Sequence, residues 1–415
     1  MDTSATLQKT ASRRLAMELL RWTALVVLLL VGQLLVLADF ATGEVFGSTN
    51  LLLTPVLGGD SGRYLTGSLA PETFPYASYI VTAQGLSELG LGTTGVRPNG
   101  EFTQEGDGAA LVVVFQMLVA LCAARCLVSI GRELGATAGG WVAASWFLVF
   151  FQIAQWTRYV LTESLFYSMT VITMWVTLRR FDDEWRRFAA LVPLLLFVNF
   201  LRPNGFVLMG AVATFLIIVR LRRAIAIGLV GIVWLVLAVA QAIGPFTESP
   251  ASSQTPSRFV QGEVFWNQSD FQRSMPPSDG LVDSFGELAL YALRNPVDSV
   301  LLGASRVGWE LVQVRPWYAD YYNAALIVTM VLFYVFSLVG WHKLRGSQLN
   351  LFIWSVTLPS ILLIAATWAI YEGRFAWWFL VTWLPWVGLG ADSTLGFVRR
   401  VLRRHGVTGS KVVRA

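Results

Sequence analysis

The sequence predicts an all-α polytopic membrane protein of about ten transmembrane helices, with two large extracytoplasmic segments. Three observations predict it. The 415 residues are 55% hydrophobic and only 14% charged, against roughly 25% charged residues in soluble domains, and the mean hydropathy is +0.58. Apolar runs approaching the roughly 17–25 residues that a spanning helix needs recur along the chain. Basic residues fall in alternate connections between those runs. A soluble globule is excluded by the first two, and the third gives the chain a direction.

Taken in order, the elements are as follows. Residues 1–15 form a short N-terminus ahead of the first span, 16–38. Arg13, Arg14 and Arg21 around its start raise a cleaved signal peptide, but the long apolar run and the lack of an A-x-A-like site after it favour a retained anchor. Residues 39–108 make the first extracytoplasmic loop, where 75–91 is weakly amphipathic, too short and polar to span, and suited to the interface. Spans follow at 109–130, 138–155, 159–178, 188–201, 205–219 and 224–243, which closes a seven-span module over 16–244. The second outer segment, 245–321, opens with a Ser/Pro-rich loop over 247–258 and continues over 283–314 with helical periodicity broken at Pro296. Three spans at 322–341, 349–370 and 375–391 and a basic tail, 392–415, complete the chain.

Placing the N-terminus inside puts Arg132, the cluster Arg179, Arg180, Arg186 and Arg187, the cluster Arg220, Arg222 and Arg223, Lys343 with Arg345, and the tail arginines Arg399, Arg400, Arg403 and Arg404 all on the cytoplasmic side. Both termini are then cytoplasmic, in a cell (inner) membrane. The net charge of +5 reflects this topology and contact with anionic lipid, and gives no reason to expect nucleic-acid binding. Cys122 and Cys126, four apart on an apolar helix, read as packing residues. His342 and His405 both fall inside, so metal or Ser-His-Asp chemistry on the outer face lacks a histidine. No cofactor is assigned, and a divalent metal gains no support from the His and Cys content.

Four polar places lie near the outer helix ends, where charge is costly and retained mainly for a purpose. Asp60, in Gly58-Gly59-Asp60-Ser61-Gly62-Arg63-Tyr64, reads either as a helix N-cap or as a general base at the membrane surface, and Arg63 is a local partner for it. Glu163, in Thr162-Glu163-Ser164, is favoured by the helix dipole and has Arg158 nearby. Arg202, in Arg202-Pro203-Asn204-Gly205, lies where one helix ends and the next begins, an anion-binding arrangement, unless the arginine simply snorkels to the interface. Glu372 and Arg374, in Tyr371-Glu372-Gly373-Arg374-Phe375, enter the last span, where the bland reading is an interfacial turn among tryptophans.

The order Asp-x-x-Arg-Tyr, Thr-Glu-Ser-Leu-Phe, Arg-Pro-x-Gly and Glu-x-Arg-Phe, from Asp60 to Phe375, resembles the GT-C superfamily of membrane glycosyltransferases. The nearest likeness is to the branch of protein O-mannosyltransferases, lipid A aminoarabinose transferases and their bacterial relatives. That resemblance implies transfer of a sugar from a polyprenyl-phosphate donor to an acceptor hydroxyl on a lipid, glycan or protein at the outer face, with inversion. It implies Asp60 as general base; Arg63, Arg202 and Arg374 as donor-phosphate ligands; and Tyr64, Glu163 and Glu372 as orienting or acceptor residues. Many relatives carry a second acid after the Asp, where this chain has Ser61. The three lysines, Lys9, Lys343 and Lys411, all fall inside, which leaves the phosphate to arginine. Two other readings compete: a secondary transporter, which predicts charges near the midplane instead of the helix ends, and a non-catalytic component of envelope polysaccharide assembly.

Overall fold

The computed structural model describes residues 3–42, 55–57, 60–70, 73–90, 95–96, 102–103, 108–179, 184–220, 225, 229–234, 236, 256–265, 268, 270–278, 280, 282, 284–367, 369 and 373–404. Within these the structure is helical apart from one antiparallel pair of two-residue strands, β1 (Gly95–Val96) and β2 (Phe102–Thr103), and isolated bridges.

The first helix, α1 (Thr3–Thr42), is longer than its apolar run requires, and its membrane-length part is Ser12–Val36. Most of that part faces outward, with Leu19, Val27 and Leu34 exposed, as expected of a helix whose solvent is hydrocarbon. Leu25, Leu29, Gln33 and Val36 make the inward stripe, and Gln33 is polar: its Nε2 donates to the Ala154 carbonyl at 3.1 Å and to Thr157 Oγ1 at 2.8 Å.

The first loop holds α2 (Ser61–Thr66), a 3₁₀ turn at Phe74–Tyr76, and α3 (Ala77–Glu88). The amphipathic stretch expected over 75–91 is therefore a real short helix. It is tied down by Ser78, whose N–H donates to the Phe200 carbonyl at 2.9 Å, and by the Phe74 ring 5.3 Å edge-on from Phe200.

Then come α4 (Ala110–Glu133), α5 (Thr137–Val149) and the short α6 (Phe151–Ala154), which runs into a 3₁₀ turn at Gln155–Thr157. The span expected over 138–155 is not straight: at extended Phe150 it bends by 59°. Helices α7 (Thr162–Leu178), α8 (Glu184–Asn199, with Pro193 inside) and α9 (Gly205–Arg220) follow. Most of the span expected over 224–243 lies outside the described residues.

In the second loop α10 (Phe285–Arg294) starts in a capping box between Ser284 and Glu287, and α11 (Pro296–Val312) starts on proline, so the periodicity breaks where the sequence places it. These helices sit over a small cluster around Phe259, Phe265, Leu288, Tyr291 and Leu302. The chain ends with α12 (Asp320–Lys343), α13 (Gln348–Ala366), α14 (Arg374–Leu380), a 3₁₀ turn at Val381–Trp383, and α15 (Leu384–Arg404).

Four described helices are long and apolar enough to cross a membrane: Ser12–Val36 of α1, α4, α12 and α13; the bent α5–α6 pair makes a fifth if it counts as one span. Of the remaining expected spans that are described, α7, α8 and α9 have 17, 16 and 16 residues, and the last is divided by the Val381–Trp383 turn. The bundle centre is built from α4, α5, α12 and α15, which approach closely. At Gly139 of α5 a Cβ would stand 2.5 Å from the Gly388 carbonyl oxygen of α15, so only glycine lets these two backbones touch.

Candidate functional site

The residues between α6 and α7 gather the site. Val56 pairs with Tyr159 in a parallel bridge, its N–H donating to the Arg158 carbonyl and its carbonyl accepting from Val160, both at 2.9 Å. Ser61 Oγ donates to the Val160 carbonyl at 2.9 Å. The start of α2 is thereby fixed three residues before Glu163.

Buried Gln116 of α4 holds the same stretch from below. Its Nε2 donates to the carbonyls of Thr157 (3.1 Å) and Tyr159 (2.9 Å), and its Oε1 accepts from the Tyr79 hydroxyl (3.1 Å). One side chain thus joins α3, α4 and the approach to α7.

Glu163, in the first turn of α7, is the centre. Its side chain is 3% exposed, and its Oε1 lies 3.1 Å from Arg202 Nη1 and 3.1 Å from Arg374 Nη1. Arg202 comes from the connection between α8 and α9, and Arg374 is the first residue of α14. Three of the sequence-predicted residues, scattered over more than two hundred positions, meet at one carboxylate. Each guanidinium also lies near an aromatic face: Arg202 is 5.3 Å from the Phe375 ring centroid and Arg374 is 5.6 Å from that of Trp156. Among the described residues two guanidiniums converge on this one carboxylate, in a setting with little water.

Asp60 occupies the N-cap position of α2 but makes no side-chain cap hydrogen bond, so the capping role open to it in the sequence is not taken up. Its carboxylate is 3.8 Å from Arg63 Nη1, both side chains being 47% exposed. A pair so solvated contributes little to stability.

Tyr64 is buried, with its ring 5.0 Å from Tyr79 and 5.6 Å from Tyr76. Burial pushes the Tyr64 and Tyr76 hydroxyls up, the acids Asp60 and Glu163 push them further, and Arg202 opposes. Both rings are therefore within electrostatic reach of both acids, and both stay protonated donors. Glu372 lies outside the described residues.

A supporting network was not apparent in the sequence. Glu310 of α11 is fully buried, its Oε1 accepting from the Ala376 N–H at 2.9 Å and its Oε2 lying 3.4 Å from Arg315 Nη2. Gln313 donates to the Gly373 carbonyl (2.9 Å) and accepts from the Trp377 indole (3.2 Å), in a left-handed conformation with φ 65°. The Tyr167 hydroxyl donates to the Arg374 carbonyl at 2.7 Å. Together these clamp the N-terminus of α14 and so aim Arg374. The only hint in sequence was a glutamate and an arginine, five apart, where the second loop nears its end.

Among the described residues no group of three or more His, Cys, Asp or Glu side chains is placed to hold a metal ion. No protein-family model matches the chain, and no curated protein matches it.

Proposed function

We propose that the protein is a membrane glycosyltransferase that moves a hexosyl or pentosyl group from a polyprenyl-phosphate donor to an acceptor hydroxyl of an envelope lipid, glycan or protein at the extracytoplasmic face. On this reading the short helices α7, α8 and α9 and the broken α14–α15 segment also cross, which gives a scaffold of about ten spans. The observation that carries the proposal is the Glu163 carboxylate held by Arg202 and Arg374 at 3.1 Å each.

When the bond from C1 to the donor phosphate oxygen breaks, negative charge develops on the departing polyprenyl phosphate. Arg374, 19% exposed, is the more accessible of the two guanidiniums and meets that charge first, with Arg202 behind it. Glu163 sets the spacing of the pair and offsets part of their repulsion. Arg63, half exposed, would contact the phosphate from the α2 side.

Asp60 takes the proton from the acceptor hydroxyl as its oxygen forms the new bond to C1. The carboxylate is half exposed and not spent on a cap, which leaves it open to an acceptor. Tyr64 and Tyr76 pack against each other within electrostatic reach of it, and Glu372 belongs to the segment that leads into Arg374. Attack from the side opposite the phosphate gives inversion in one displacement.

The test is turnover by the purified protein in liposomes, supplied with labelled polyprenyl-phosphate sugars and envelope acceptors. Asp60→Asn keeps the size and polarity of the side chain, and is expected to lower turnover by at least about a hundredfold while the protein elutes as the wild type does on size exclusion. Full turnover in that variant would remove Asp60 as the base.

A further inference from the structure

Helix α11 is amphipathic in the reverse sense of a helix on a water-soluble protein. After its opening Pro296, its exposed residues are Val297, Val300, Leu301, Ala304, Gly308 and Val312, and none of them is polar. They recur at helical spacing, along one stripe of the surface. The charged residues lie elsewhere: Asp298 is half-buried, and Arg306 and Glu310 are fully buried. A helix in water turns aliphatic residues in and charge out. The opposite arrangement belongs to an element whose outer solvent is hydrocarbon.

The buried charges find their partners inside the protein, as burial away from water demands. Arg306 donates from Nε and Nη2 to the Glu263 carbonyl, at 2.9 and 2.7 Å, and from Nη1 to the Ala365 carbonyl at 3.2 Å. Glu310 is taken up by the Ala376 N–H and by Arg315. The polar side of α11 is thus directed at the second loop, the end of α13 and the start of α14, and the apolar side faces away from them.

The contacts of α11 also fix its depth. At Gly303 a Cβ would stand 3.1 Å from the Ala365 Cβ, so α11 touches α13 one position before that helix ends. Helix α13 is long enough to cross a bilayer, and its end therefore marks a membrane edge. The far end of α11 goes deeper: the Leu311 carbonyl accepts from the Tyr334 hydroxyl at 2.6 Å, and Tyr334 lies about 21 Å along the membrane-length α12 from its first residue, at 1.5 Å per residue. Within its last three turns α13 exposes Leu358 and Leu362, and α10, which leads into α11, exposes Leu290 and Leu293. Exposed apolar stripes mark contact with protein or membrane, and continuity with α13 favours the membrane.

We infer that α11 is seated in the bilayer at the Glu163 end of the bundle, with the stripe from Val297 to Val312 against lipid acyl chains. Lipid is then part of what holds Arg374, because Glu310 and Gln313 clamp the start of α14 from this helix. The inference does not depend on sugar transfer.

Spin labelling of the full chain in phosphatidylcholine vesicles tests it. Cys122 and Cys126 are first replaced by alanine, and a nitroxide is attached at Val300→Cys, at Ala304→Cys or, as the water-facing reference, at Gln272→Cys, an exposed polar position of the second loop. At Val300 and Ala304 collisions with molecular oxygen are expected to outnumber those with a water-soluble nickel chelate, and at Gln272 the order reverses. Nickel collisions as frequent at Val300 and Ala304 as at Gln272 would mean that the stripe meets water. Rare collisions with both reagents would mean that protein covers it, whether a second copy or another part of the chain. Either result overturns the inference. Thermal unfolding checks that each labelled variant is folded, and a second measurement needs no substitution. Wild-type protein in the same vesicles, doped with a phosphatidylcholine that carries a diazirine on its acyl chain, is expected to yield lipid adducts on α11 as well as on α13 after irradiation. Absence of adducts from α11 would overturn the inference too.

Discussion

Glu163 carries the tightest electrostatic constraint of the candidate site. Its carboxylate is nearly buried, and so is Arg202, so removing the negative charge leaves two guanidiniums facing each other with little water to screen them. Glu163→Gln retains shape and hydrogen bonding yet is expected to cost about 3 kcal/mol or more, the scale of breaking a buried pair. The loss would be read as a lower midpoint of thermal unfolding in detergent. Inorganic phosphate should restore more of that loss in the variant than it adds to the wild type, because the two guanidiniums, having lost the Glu163 charge, then recruit an external anion. An unshifted midpoint would show that the three side chains do not depend on one another. At this scale the sequence was informative in identity but not in partnership. Glu163, Arg202 and Arg374 were all legible as costly charges at helix ends, whereas the pairing of Glu163 with two remote arginines is set by helix packing and leaves no trace in local spacing.

Among the elements, the start of α14 shows how a supporting layer escapes sequence reading. Gly373 sits at φ 68°, and a Cβ there would stand 2.5 Å from Gln313 Oε1 and 2.9 Å from Arg315 Nη2. The glycine serves both the left-handed turn and the close approach of the Glu310–Gln313–Arg315 network. Gly373→Ala is expected to displace that network and shift Arg374 away from Glu163. Within the glycosyltransferase reading this raises KM for the donor more than for the acceptor, and a steady-state comparison of the two checks it; unchanged donor dependence would mean that the network does not position Arg374. The two loops were legible where local rules act, as with the proline start of α11 in the second and the short helix α3 in the first. Glu310 and Gln313 were not, because the α14 groups they hold lie sixty and sixty-six residues away in a segment whose own pattern reads as an interfacial turn. The 59° bend at Phe150 was missed for a related reason: no proline or glycine marks it, and the backbone of the following stretch is held by Gln33 and Gln116 from other helices.

For the whole molecule, two ends of the bundle carry different chemistry. Glu163 at the start of α7 and Arg202 before α9 lie at one end, and Thr177, Val219 and the α12–α13 connection lie at the other. Hydropathy shows which helices are apolar but is silent on direction; the alternation of arginine between connections is the sequence's argument for one, and predicts that the Glu163 end faces outside. The direction is open to measurement because exposed residues are available at both ends and the native cysteines are only two. With Cys122 and Cys126 replaced by alanine, Ser68→Cys in the first loop reports on the Glu163 end and Lys343→Cys at the end of α12 reports on the other. A membrane-impermeant maleimide added to intact cells is expected to label the first position and to label the second only after permeabilisation. The opposite pattern would turn the Glu163 site toward the cytoplasm, where nucleotide-linked sugars and not polyprenyl-phosphate sugars facing outward would be its natural donors. Labelling of both positions in intact cells would mean that the chain does not hold its two ends on opposite sides of a membrane, and the charge alternation would then need another cause.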